Sequence, residues 1–232
     1  MLIVPKAKDP VVLSYLALRT AVGAVALGLP FALSIPWWVV RNHVIESSIS
    51  DYYYTGMRNL FVGSLCAIAM FMLCCRGYDR QDEIAGTFSA ICALGVAFFP
   101  TTPDSCVTKF QGDIGTVHYV FAALLFSTLA YFCLVLFKMT AANRQVTRQK
   151  LQRNQVYTGC GYAILASMLL IIVLKMIFKV ENLIGNLSPT FCFESTALIA
   201  FGFAWLVKGG TFLKDENAEY SGAEGTGTNG QG

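Results

Sequence analysis

The sequence predicts an all-α integral membrane protein, a bundle of six transmembrane helices, on three observations. The 232 residues are 55% hydrophobic and only 13% charged, whereas soluble domains carry about 25% charged residues. The charges are grouped in short stretches between apolar runs that are long enough to cross a bilayer. Lysine and arginine also favour alternate connecting segments, as in multi-pass proteins. The net charge of +3 gives no indication of a nucleic-acid partner.

The first predicted span, residues 14–40, is longer than one straight crossing requires. Arg19 marks its cytosolic edge, and the tryptophans at 37–38 fall where an aromatic belt is expected. We expect Pro30 and Pro36 to kink or end this helix. The other predicted spans are residues 60–75, 84–100, 116–137, 156–178 and 190–207.

The orientation of the bundle follows from the basic residues in its connections. Residues 138–153 contain five lysines and arginines and no acidic residue, and segments of this kind stay in the cytosol. Alternation then places both termini in the cytosol. Residues 41–59, 101–115 and 179–189 form the three outer segments.

The chain divides into three regions. Residues 1–13 are a short cytosolic N-terminal segment, residues 14–209 form the six-helix domain, and residues 210–232 are a cytosolic tail. The tail is rich in Gly, Asn, Glu and Thr, so it has little apolar surface to bury and we expect it to be disordered. The first apolar run is too long for the h-region of a secretory signal peptide and should remain as the first span.

Small residues recur at four-residue spacing within the predicted spans. In lipid such rows let helix backbones approach closely, so they predict helix contact faces. Packing inside the bundle is the favoured interpretation, and a homo-oligomer interface is the alternative. The rows are Ala24, Gly28 and Ala32; Ser89, Ala93 and Ala97; Gly159, Ala163 and Ser167; and Ala200 with Ala204.

One acidic residue, Glu194, falls inside a predicted span, near its outer end. A carboxylate there needs a partner, a proton or a cavity, so Glu194 is a candidate ligand-binding group or acid/base. A structural or water-exposed carboxylate is the alternative. His118, near the outer start of the fourth span, is a candidate proton shuttle, although a satisfied interfacial histidine is the commoner case. We expect Glu194 to face the interior or an outward cavity and to pair with His118 or Arg58.

The first outer segment has the most distinctive composition. Tyr52, Tyr53 and Tyr54 are followed by Arg58, a combination suited to headgroup depth, where rings contact lipid glycerol and a guanidinium contacts phosphate. A more specific interpretation is a strip that covers an outer cavity for a lipid headgroup. Asp104, which follows the third span on the same side, is a further candidate for this polar outer site.

No metal or cofactor site is predicted. The eight cysteines form no CxxC pair, and most lie in apolar runs, where cysteine packs as a small hydrophobe. The two histidines share no metal-ligand spacing, and neither a GxSxG elbow nor a P-loop is present. Only Cys106 and Cys192 fall near the oxidising outer face, and a disulfide between them stays open as an alternative.

Several segments resemble a family of uncharacterised bacterial inner-membrane proteins, a domain of unknown function. The resemblance extends over most of residues 14–209. It implies a polytopic protein of the bacterial inner membrane and implies no activity. The segments are Leu16-Ala17-Leu18-Arg19, the run 48–58 (SISDYYYTGMR), Gly77-Tyr78-Asp79, Phe99-Pro100-Thr101, His118-Tyr119, Arg153-Asn154 and Trp205-Leu206-Val207-Lys208-Gly209. The membrane hydrolases that include alkaline ceramidases use three histidines and an aspartate around zinc, and this chain has two histidines.

Three functions are compatible with these observations. The first is a non-catalytic or transport-like protein that holds a lipid headgroup or small amphiphile in an outward-facing polar cavity. The second is a membrane-embedded lipid-modifying enzyme that uses Glu194 or Asp104 with His118 as acid and base. The third is a structural or assembly partner of other membrane proteins.

Overall fold

The computed structural model describes residues 10–74, 80–103, 107–139, 147–177 and 187–212. This part of the chain contains six α-helices. The helices are α1 (Pro10–Val40), α2 (Arg58–Cys74), α3 (Arg80–Phe98), α4 (Lys109–Leu134), α5 (Arg148–Ile171) and α6 (Pro189–Lys208). These residues contain no β-strand, which confirms the all-α prediction for them. Most of the N-terminal segment and of the predicted tail lies outside the described residues, so the predicted disorder of the tail stays a prediction.

Helix α1 continues through Pro30 and Pro36 as far as Val40, so neither proline ends it, and the kink that was the other expectation stays a prediction. An internal proline removes one backbone hydrogen bond, but a helix in an apolar surrounding keeps its remaining bonds because no water competes for them. The helix ends where Asn42 and His43 adopt positive φ angles of 51° and 72°. The N–H of His43 then donates to a carbonyl of the last turn at 2.8 Å, as in a left-handed helix cap.

Polar N-cap residues, rather than hydropathy, determine where α4, α5 and α6 begin. Thr108 and Gln111 form a capping box at the start of α4, and the hydroxyl of Thr147 accepts from the backbone of the first turn of α5. At α6, Ser188 is the N-cap and Pro189 occupies the first turn. Helices α4 and α5 therefore begin before the apolar runs that predicted them.

The six helices pack as a closed ring in chain order. Each helix contacts the next one along the chain, and α6 returns to contact α1. Helix α4 also contacts α6 across the ring. Short connections favour antiparallel neighbours, so the ends of α1, α3 and α5 meet the starts of α2, α4 and α6.

The rows of small residues differ in what they contact. Ser89, Ala93 and Ala97 of α3 are fully or almost fully buried, which confirms that row as a packing face. The row of Ala24, Gly28 and Ala32 is wrong as an internal face, because Ala24 and Ala32 are exposed and a Cβ atom added at Gly28 would meet nothing within 4 Å. Periodic spacing alone does not tell which side of a helix faces its neighbours.

The close approach of α1 and α6 occurs instead at Gly23 and Gly202. A Cβ atom added at Gly202 would lie 2.7 Å from the carbonyl oxygen of Gly23 and 2.6 Å from the backbone nitrogen of Leu27. No side chain fits at either glycine unless the backbones move apart. These two residues therefore allow the contact that closes the ring.

Large apolar side chains are exposed on all six helices. A soluble protein rarely presents such surfaces, whereas a lipid-facing one does. Examples are Phe31 and Ile35 on α1, Met70 on α2, Ile91 on α3, Val120 on α4, Leu169 on α5 and Phe203 on α6. Four stretches, Leu16–Val40, Lys109–Lys138, Arg148–Leu174 and Pro189–Lys208, are long and apolar enough to cross a membrane, and Arg58–Cys74 is apolar but shorter. The described part of the chain thus has the surface of a helical membrane protein.

Candidate functional site at the capped end of the bundle

Residues 41–57, called the cap below, fold over the end of the bundle where α1 ends and α2 begins. The left-handed turn after α1 sends the chain back toward its last turn. There the indole N–H of Trp37 donates to Glu46 Oε1 at 2.7 Å. The guanidinium of Arg41 lies 5.3 Å from the centre of the Trp37 ring system. These contacts fix the first half of the cap on the end of α1.

Two hydrogen bonds join the middle of the cap to the first turns of α6. The N–H of Phe191 donates to the carbonyl oxygen of Ser47 at 3.1 Å. The N–H of Ile49 donates to Glu194 Oε2 at 2.7 Å. Glu194 is half-buried, so its carboxylate satisfies a backbone donor that the cap presents to the helix. A hydrogen bond to an ionised acceptor is stronger than one between neutral groups.

Asp51 connects the cap to the turn between α3 and α4. Its two carboxylate oxygens accept from different hydroxyls, Oδ2 from Ser47 at 2.8 Å and Oδ1 from Thr101 at 2.9 Å. The N–H of Asp51, which lies in a short 3₁₀ helix, Ser50–Tyr54, donates to the Ser48 hydroxyl at 3.0 Å. Asp51 is therefore a structural centre of the cap.

The three consecutive tyrosines have different surroundings. Tyr52 is fully buried, and burial raises the pKa of its phenol to about 12, an effect that the nearby backbone of Glu46 partly offsets. Tyr54 is half exposed and donates its hydroxyl hydrogen to the carbonyl oxygen of Thr101. Burial, Tyr53 and Asp51 together raise the pKa of Tyr54. Both phenols are neutral at physiological pH.

Tyr53 and Arg58 form a pair at the exposed edge of the cap. The guanidinium of Arg58 lies 4.1 Å from the centre of the Tyr53 ring and donates a hydrogen bond to the Tyr53 hydroxyl. Arg58 is exposed and is the first residue of α2. A guanidinium held in this way keeps its charge and most of its donors available to a ligand.

His118 lies under the α3–α4 turn. It is only 2% exposed, and its Nδ1 is 2.6 Å from the carbonyl oxygen of Phe99. One turn earlier on α4, a Cβ atom at Gly115 would lie 2.0 Å from the Thr102 hydroxyl oxygen, so only glycine lets the turn pack this closely. His118 thus anchors the turn that Asp51 also contacts.

The structure brings most of the candidate residues to one end of the bundle without joining them in a single constellation. Glu194 contacts Ile49, while the hydrogen bonds of His118 and Arg58 among the described residues go to Phe99 and Tyr53. The expected pairing of Glu194 with His118 or Arg58 is therefore absent from these contacts. Equal depth on α2, α4 and α6 therefore did not place these side chains together.

Two of the predicted positions, Asp104 and Cys106, lie outside the described residues. Cys192 is a free, half-buried thiol. The described residues contain no group of three His, Cys, Asp or Glu side chains that could hold a metal ion.

Sequence reasoning missed the roles of Asp51, Thr101 and the Trp37–Glu46 bond. One local signal was present: Ser48 precedes Asp51 by three residues, the spacing at which a serine caps a helical turn before an acidic residue. The contacts with Thr101 and Trp37 join distant parts of the chain, and no local pattern indicates them.

Fold and surface together define a polytopic helical membrane protein with a polar cap at one end of a six-helix ring. No family model, curated protein or solved structure matches the chain.

Proposed function

We propose that the protein spans the bacterial inner membrane six times, with both termini in the cytosol and the cap outside. The short helix α2 and its neighbour α3 support this number, because the closed ring places both of them beside helices that are long enough to cross. The basic residues after α4 support the orientation. The cap then lies at the level of the outer lipid headgroups.

We infer further that the cap binds the phosphate of a lipid headgroup or of a small amphiphile. The observation that supports this most is the exposed guanidinium of Arg58, which is held against the Tyr53 ring at 4.1 Å. An arginine offers two parallel N–H donors to a phosphate. Stacking on Tyr53 reduces the side-chain entropy that binding would cost.

A binding role is favoured over a lipid-modifying enzyme at this site. Glu194 accepts from a backbone N–H and His118 contacts a backbone carbonyl. A general acid or base needs hydrogen-bond reach to a substrate proton, and these contacts direct both groups toward the protein's own backbone. An assembly role for other membrane proteins is the remaining alternative.

The experiment is to count bound phospholipids by native mass spectrometry after purification in mild detergent. We expect Arg58→Gln to retain less phospholipid than the wild type and Arg58→Lys to fall between them, because lysine keeps the charge but loses the stacked fork. Lys109→Gln is the matched control, since it removes one exposed positive charge at the same end. Equal lipid retention in Arg58→Gln, Lys109→Gln and the wild type would contradict the proposal.

A further inference from the structure

A groove of about 420 Å³ runs along the side of the bundle between α3 and α4. Gln81, in the first turn of α3, and Tyr131, in the last turn of α4, line the end of the groove that lies opposite the cap. Phe88 and Leu124 line its other end. Each helix contributes positions seven residues apart, so the groove extends about 10 Å along the helix pair.

The groove exists because small residues lie between large ones where the two helices meet. Its floor contains Ala85 and Thr128, which are only 7% and 9% exposed. Large side chains form its rims, among them Ile84 on α3 and Leu124 on α4, which are 59% and 40% exposed. An open groove of this kind loses dispersion contacts unless a molecule from the surrounding membrane fills it.

Two hydroxyl residues line the middle of the groove, but both donate to their own helix. The Ser127 hydroxyl donates to the carbonyl oxygen of Ala123 at 2.7 Å, and the Thr128 hydroxyl donates to that of Leu124 at 2.8 Å. Each hydroxyl has one hydrogen to donate, so neither offers a donor to a ligand. A polar ligand would leave its own groups unsatisfied here, which is costly, whereas a hydrocarbon chain would not.

Polar side chains occur at one end of the groove. Gln81 and Tyr131 are exposed at the end opposite the cap, and each of them carries both a hydrogen-bond donor and an acceptor. The residues at the other end, Phe88 and Leu124, are apolar. The lining therefore changes from polar at the end of the bundle to apolar toward its middle, as the membrane itself does.

The charge next to the polar end suits a phosphate. Arg80, the first residue of α3, is exposed and lies four residues before Ile84, on the same side of the helix as that rim. Asp82 is half-buried, and Glu83 lies about 160° around α3 from Gln81. Arg80 is therefore the charged residue of this turn that lies on the exposed rim side, where its guanidinium can reach a phosphate.

We propose that the groove holds one acyl chain of a phospholipid from the leaflet opposite the cap. The phosphate lies beside Arg80, the ester groups lie beside Gln81 and Tyr131, and the chain follows the apolar part of the groove. Charged, polar and apolar groups follow one another along the groove in the same order as along a phospholipid. This site is in a different leaflet from the lipid site proposed at the cap and does not depend on it.

The test uses full-length protein extracted from nanodiscs of phosphatidylethanolamine and phosphatidylglycerol. Native mass spectrometry measures the ratio of lipid-bound to lipid-free protein. Every variant is made in the Arg58→Gln background, so that a lipid at the cap does not determine the result. Ser127→Phe places a ring in the groove from an exposed position, and Ala166→Phe is the matched control because it adds the same ring at an exposed small residue of α5.

We expect Ser127→Phe to lower lipid retention by about tenfold or more, because the ring occupies the space of the chain, and Ala166→Phe to leave it unchanged. The double variant Arg80→Gln with Gln81→Leu keeps the groove open but removes its polar end, and it should also retain less lipid than Ala166→Phe. If Ser127→Phe does not fold, this double variant decides the result. Retention equal to that of Ala166→Phe in the deciding variant would overturn the proposal.

Discussion

Glu194 and the N–H of Ile49 form a direct polar link between the cap and α6. The carboxylate lies in the second turn of α6, where it accepts a hydrogen bond from a backbone donor. An acid near the membrane interface is costly unless a partner is present. The hydrogen bond of 2.7 Å from the Ile49 N–H supplies such a partner.

We expect Glu194→Leu to lower the free energy of unfolding by about 1–3 kcal/mol, because it leaves the Ile49 N–H buried without an acceptor. Glu194→Gln should lose less, since its amide oxygen can still accept. Thr196→Val is the control, because that hydroxyl bonds only to its own helix. Thermal melts in detergent measure all three, and a Leu variant as stable as the control would contradict the role.

The double variant Glu194→Gln with His118→Ala tests whether the two candidates act together. Because their hydrogen bonds go to different groups, we expect the losses of stability to add within about 0.5 kcal/mol. A clearly smaller loss in the double variant would show that the two side chains interact.

Because Tyr52 is buried, we expect the cap to lose stability at alkaline pH. Burial raises the pKa of its phenol from 10.0 to about 12, so the neutral phenol stabilises the folded state below pH 10. That contribution is lost as the pH rises from 10 to 12. In an ultraviolet titration of phenolate absorbance, Tyr52→Phe should remove one late-titrating group. An unchanged late phase in Tyr52→Phe would place the high pKa elsewhere.

At the scale of the elements, the contact of α1 with α6 closes the ring through Gly23 and Gly202. Each glycine faces the backbone of the other helix, so the spacing of the two axes depends on the absence of side chains. The contact is formed by residues far apart in the sequence. Rows of small residues at regular spacing predicted close helix packing in general but not this pair.

We expect Gly202→Ala to lower the stability of the protein by about 1–3 kcal/mol, because the added methyl group meets backbone atoms that cannot rotate away. Gly28→Ala on α1 is the matched control: its Cβ atom meets nothing within 4 Å, so helix propensity should make it neutral or stabilising by up to about 1 kcal/mol. Midpoints of thermal unfolding in detergent compare the two. Similar losses in both variants would show that packing at Gly202 is not the cause.

At the scale of the whole molecule, opposite ends of the ring carry different chemistry. The cap end presents neutral phenols, carboxylates held by hydrogen bonds and the exposed Arg58. At the other end, Lys208 and Lys150 both donate to the carbonyl oxygen of Phe137. This asymmetry is what the orientation rule detects in the sequence, and it predicts which end faces the cytosol.

Single cysteines test this orientation in a cysteine-free background. We expect an impermeant maleimide to label Val44→Cys, at an exposed position of the cap, in intact cells. Asn143→Cys, in the basic connection after α4, should react only after the membrane is opened. Labelling of Asn143→Cys in intact cells would reverse the proposed topology.

The sequence by itself determined the class of protein and, for the residues that the structure describes, the number of α-helices and the approximate place of each one. Hydropathy acts over a whole span, so a run of apolar residues predicts a helix whatever its neighbours are. Helix ends were less predictable, because the N-cap residues Thr108 and Thr147 start α4 and α5 in polar sequence, ahead of the apolar runs.

Only the tertiary structure decided how the polar residues pair. It showed Glu194 bound to Ile49, Asp51 to Thr101 and His118 to Phe99. Each hydrogen bond depends on which helices are neighbours in the ring and on how each helix is rotated about its axis. Depth can be counted along one helix from the sequence, but rotation is set by packing against the others.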